Sequence, residues 1–85
     1  MPTGAIARGA ILELLDQRAP GKTICPSEAA RSLAGDDFRD HMDVVRDAAW
    51  ELADEGAIEV TQHGEPVQRD AVRGPVRLRR RVYRR

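Results

Sequence analysis

The 85-residue chain carries 14 Lys/Arg, 14 Asp/Glu and a single cysteine, which leaves room for one small domain and excludes an internal disulfide or a multi-cysteine metal site. Formal neutrality conceals a division: residues 1–60 hold 6 basic against 12 acidic side chains, and residues 61–85 hold 8 arginines against 2 acids, or −6 and +6. A segment as basic as the second seeks an anion, whether a phosphate backbone, an acidic partner, or the acidic helix of its own chain.

From Thr3 to Arg18, Ile6, Ala7, Ala10, Ile11, Leu14 and Leu15 recur in steps that place one apolar stripe on a helix. Ala19-Pro20-Gly21 ends it. Lys22 to Cys25 is too short for another helix and contains β-branched residues, so it reads as a brief extended segment. Pro26, with its fixed φ, suits the first position of a second helix reaching Ala34, and Glu28 suits the positive end of that helix.

Gly35-Asp36-Asp37 predicts a turn, with either aspartate able to cap a third helix over 38–55. Phe38, Met42, Val45, Ala49 and Leu52 form its apolar stripe, and Gly56 stands where a left-handed terminator is wanted. The period then becomes two: Ile58 and Val60 face the core, Glu59 and Thr61 the other side. A long connection comes next, containing His63-Gly64, Pro66, Asp70 and Gly74-Pro75. Alternation returns with Val76, Leu78 and Val82 against Arg77, Arg79 and Arg81. Arg80 falls in an inward slot, which reads as a strand leaving the body or a fraying tail.

The expected architecture is therefore α+β and mostly α: a winged helix-turn-helix with three helices and a small antiparallel sheet. It forms a single domain over 1–85, with an ordered core at about 4–80, a wing at about 62–75 and a basic tail at 79–85. With one Phe, one Trp and one Tyr against 12 alanines, the core must rely on close approach of helices over small side chains. No apolar run reaches the roughly 20 residues of a membrane span, and MPTGAIARGA has no signal-peptide core. The expectation is a soluble, cytoplasmic protein without a membrane partner.

The stretches CPSEAARSL, FRDHM, EGAIEVTQHGEPV and RGPVRLRR resemble the small bacterial family catalogued as domain of unknown function 3253. The resemblance spans about residues 5–81, and TQ-x-G-x-x-V and RGP-x-R are its most specific elements. It implies a winged-helix fold with no assigned activity. Trp50 departs from the family pattern, which has a small or basic residue there.

No reaction is legible. Gly21-Lys22-Thr23 imitates the end of a phosphate-binding loop, but Asp16 stands where the first glycine belongs and the segment comes after a helix. His41 and His63 lack companions at metal-ligand spacing. Ser27 and Cys25 have no identifiable base. The reading is a non-enzyme with no cofactor and no metal.

At about 100° per residue, Asp40, Asp43, Asp47, Glu51 and Asp54 lie opposite the third helix's apolar stripe, with Arg39, Arg46 and Trp50 along one flank. Five carboxylates repel a duplex, so insertion of this helix into the major groove is not expected. Arg69, Arg73, Arg77 and Arg79 are the expected phosphate contacts, with Arg46 as a flank contact; Trp50 and Arg39 are interface candidates. The leading expectation is a nucleic-acid-binding module using the wing and last strand. The alternative is a protein-interaction or homodimerisation module that binds no nucleic acid.

Overall fold

The computed structural model describes residues 4–19 and 21–81. Helix α1 (Gly4–Asp16) leads to strand β1 (Thr23–Ile24), then helix α2 (Pro26–Ala34), a 3-10 segment (Gly35–His41) and helix α3 (Met42–Asp54). Strands β2 (Ile58–Gln62) and β3 (Glu65–Pro66), a 3-10 turn (Arg69–Ala71) and strand β4 (Arg77–Arg80) complete it. The result is a mostly helical α+β fold whose strands form one antiparallel sheet in the order β1-β4-β2-β3.

Local chemistry accounts for most boundaries. At the start of α2 the Glu28 carboxylate accepts the Cys25 backbone N–H at 3.0 Å, while Pro26 occupies a position that needs no donor. At the end of α3, Gly56 adopts φ 80°, its N–H donates to the Ala53 carbonyl, and the Ala57 N–H donates to the Leu52 carbonyl. These two bonds satisfy carbonyls left open by the helix end. The third helix starts later than its periodicity predicts, because residues 35–41 form tighter 3-10 turns. Glycine, three aspartates and a histidine give this stretch little helix propensity. Phe38 anchors it instead, beneath the guanidinium groups of Arg31 and Arg39 at 4.3 and 4.9 Å from the ring centre.

The core joins Ala7, Ile11 and Leu15 of α1, Ala29 and Ala30 of α2, and Val45, Ala48, Ala49 and Leu52 of α3 to Ile24, Ile58, Val60 and Leu78 of the sheet. Alanines supply much of the helical contact, as the composition predicts. Ile6, expected in the stripe of α1, is 50% exposed.

The sheet corrects three expectations. Thr61, expected on an open face, is buried with its hydroxyl donating to the Arg77 carbonyl at 3.2 Å. Arg80 has not left the body: it pairs with Ile58 in the ladder, and its guanidinium reaches the Asp16 carboxylate at the end of α1. The Arg81 N–H donates to the Ala57 carbonyl, so the tail placed at 79–85 begins as sheet. The expected alternation at Val82 and the remainder of that tail, like Thr3 and Pro20, lie outside the described residues.

Candidate functional site

The connection from β2 to β4 makes two folds of its own. His63 and Gly64 take φ of 54° and 81°, which closes a two-residue hairpin between β2 and β3 with Gln62 opposite Glu65. Beyond β3, the Val67 N–H donates to the Val60 carbonyl at 2.9 Å. The chain then passes through 69–71 and returns over Gln62, whose carboxamide nitrogen donates to the carbonyls of Arg73, Gly74 and Pro75. Its oxygen accepts the Arg73 backbone N–H at 3.2 Å. The wing expected at 62–75 is thus a clamped strap. The two most specific sequence elements meet here, since Gln62 belongs to TQ-x-G-x-x-V and Arg73-Gly74-Pro75 to RGP-x-R.

Arg77 completes the strap's closing end. Its Nε donates to the Thr23 hydroxyl at 2.9 Å, and Nη1 donates to the Cys25 thiol at the start of α2. These bonds tie β4 to the β1–α2 junction across the sheet.

Between the strap, α3 and the start of α2 lies a groove of about 680 Å³. Met42, Trp50, Pro26, Val72, Pro75 and Val76 give it mainly apolar walls, with Arg46, Ser27 and Cys25 also in the lining. Trp50 is half-buried and packs against the core while also lining the groove. On its other side Trp50 borders a second cleft with Asp54, Val67 and Arg69. The tryptophan is therefore both a packing residue and a groove wall.

The structure separates the sequence-selected residues by what holds them. Arg77 and Arg79 are committed internally: Arg79 donates through Nε and Nη2 to Glu59 at 3.1 and 2.8 Å. They do not form an open row. Arg69 pairs with Asp47 at 2.8 Å, both side chains being more than 60% exposed. The side chains of Arg46 and Arg73 engage no ion pair or hydrogen bond with any described residue. Arg46 lies in the groove and Arg73 directly precedes the lining residue Gly74. Arg39 is stacked on Phe38 outside the groove lining, so it is not brought to Trp50. Sequence reasoning missed Gln62, Thr23 and Val72 as builders of this region; for Gln62 the motif itself was the available signal.

Asp40, Asp43, Asp47, Glu51 and Asp54 are exposed along the outer face of α3 and at the turn before it. Part of this acidity is answered from within the chain. Arg8 makes a bidentate pair with Glu55, both bonds at 2.6 Å, and a longer contact to Glu51 at 3.3 Å. Hydrogen bonding to Arg8 holds the Glu55 carboxyl below its ordinary range, opposed by desolvation and reinforced by the charge of Arg8. A depressed folded-state value contributes stability above the unfolded value that is lost as pH falls through the folded one. Arg8→Ala is expected to be less stable than the natural protein at neutral pH, the difference closing below about pH 4. Urea midpoints measured across that range check this, and a difference independent of pH contradicts it.

Among the described residues there is no cluster of three or more His, Cys, Asp or Glu side chains suited to a metal ion. No described helix is long and apolar enough to cross a membrane.

Residues 5–81 match the family model described as protein of unknown function (DUF3253). The chain belongs to that family. No curated protein matches it.

Proposed function

We propose that this member of the DUF3253 family is a non-enzymatic, cytoplasmic winged-helix module that binds nucleic acid through the strap and the groove flank of α3. The order helix, strand, two further helices, strand, connection, strand supports the fold reading, as does the position of β4 between β1 and β2.

One observation carries the functional reading. Arg46 and Arg73 leave their charges uncommitted at one groove, on a surface where Arg8, Arg79 and Arg80 are each held by an acid of the same chain. Arg69, at the adjoining cleft, is held only by a solvent-exposed pair. Such pairs are worth about 0–1 kcal/mol and exchange readily for a phosphate. Arg46, Arg69 and Arg73 thus replace the wider set expected from sequence, in which Arg77 and Arg79 now serve the fold.

Three phosphate contacts give log K against log salt a slope of about −2 to −3. Titration of labelled single-stranded and duplex oligonucleotides at two salt concentrations is expected to show that dependence, with the triple Arg46, Arg69 and Arg73→Ala variant reduced to a flat, weak response. Absence of salt-sensitive binding to either oligonucleotide refutes the proposal.

A further inference from the structure

We infer that the groove beside Trp50 receives an unstacked base, so that the nucleic acid bound is a single strand. This inference rests on the nucleic-acid reading above and narrows it to one ligand class.

The surface first restricts the ligand by what it repels. A duplex approaching α3 in the manner of a major-groove reader meets Asp40, Asp43, Asp47, Glu51 and Asp54, all exposed. Several cations have no acid partner: Arg46 lies in the groove and Arg73 beside its lining, whereas Arg31 and Arg39 sit on the Phe38 ring and Lys22 lines a separate cleft. A phosphate chain drawn to Arg46 passes beside the groove that Arg46 lines, so the groups it carries meet the groove walls. The groove's walls are apolar and include the chain's only tryptophan. A volume of 680 Å³ falls within the range of about 300–1,000 Å³ typical of ligand clefts. Bases in a duplex keep their faces stacked on one another, whereas a single strand offers an apolar face beside each phosphate.

The groove's polar groups point the same way. The carbonyls of Arg73, Gly74 and Pro75 share the Gln62 carboxamide nitrogen as a donor, and the Cys25 thiol accepts from Arg77. Few side-chain donors line the groove to read the edge of a base: the Ser27 hydroxyl, the weakly donating Cys25 thiol, Arg46 and the Trp50 indole. A site with aromatic stacking, flanking arginines and few free edge-reading groups is tolerant of sequence.

Trp50 is the only tryptophan, so intrinsic tryptophan fluorescence reports on this groove. The test titrates the protein with oligothymidylate, a duplex of the same length and thymidine monophosphate. Expected is quenching by the strand, tighter binding of strand than duplex, and weak binding of the mononucleotide. Measured with a labelled strand, since the variant lacks the reporter, Trp50→Ala is expected to lower strand affinity by about 5- to 150-fold, one base stack, and to bring it near that of the duplex. Trp50→Phe retains most of the strand affinity, and the unmodified protein's fluorescence decides the matter should Trp50→Ala fail to fold. Salt-sensitive binding with no fluorescence change, or with equal preference for duplex, overturns the base pocket and leaves the nucleic-acid reading standing. A mononucleotide bound as tightly as the strand overturns it in favour of a small-molecule site. Absence of salt-sensitive binding to both strand and duplex overturns both.

Discussion

Leu78→Ala is expected to cost about 2–5 kcal/mol, the usual range for truncating a buried leucine. Leu78 is fully buried and stands opposite Ile24 on one side and Val60 on the other. The cavity it leaves opens between strands as well as beneath the helices, so relaxation of one neighbour widens the gap to the other. For a small domain with total stability of about 5–15 kcal/mol, that loss is a large share of the whole. Urea denaturation should move the midpoint strongly with little change in slope. A loss under about 1 kcal/mol contradicts the central placement of β4.

Gln62→Ala acts on the strap and has a different signature. Removing the carboxamide leaves the Arg73 N–H and the carbonyls of residues 73–75 to water in place of their side-chain partner, at an expected cost of about 0.5–1.5 kcal/mol. Hydrogen exchange should quicken at the Arg73 amide well before the core is affected, because the defect is local. Gln62→Glu offers a sharper comparison. It keeps an acceptor for Arg73 but turns a donor into a carboxylate facing three carbonyl oxygens, and should equal or exceed the alanine variant in damage. Unchanged protection at Arg73 in both variants would falsify the clamp.

The parts legible in sequence are those governed by near neighbours. Pro26 and the glycine after Ala34 bound α2 where they were expected, and the acidic face of α3 is as exposed as its spacing implies. Gly56 terminates α3 by the predicted left-handed turn. In each case one residue's backbone preference or a single periodicity decides the outcome, and both can be read along the chain.

Expectations that failed depended on distant partners. Arg80 looks wrong for a strand's inner face until Asp16 is seen at the end of α1. Thr61 looks solvent-facing until the Arg77 carbonyl is placed beside it. The arginines of β4 form a row in sequence, and the partners they have within the chain, Glu59 for Arg79 and Thr23 for Arg77, were equally out of its reach. Alternation specifies a face; it does not specify what lies against that face. The candidate site was therefore legible in its charge and in Arg46, Arg73 and Trp50, whereas the strap that gives it walls was not.

The placement of β4 between β1 and β2 also governs how the chain must assemble. Helix ends and the β2–β3 hairpin close over short stretches of chain, but the contact of Arg77 with Thr23 joins residues 54 apart. Closing such a span costs entropy that short-range contacts do not. As the chain emerges from the ribosome, β1 and β2 appear with no hydrogen bonds between them, and Ile24 and Val60 wait on either side of an empty lane. Until β4 enters it, the nascent protein carries two open strand edges flanking exposed core residues, a form prone to pairing with other chains.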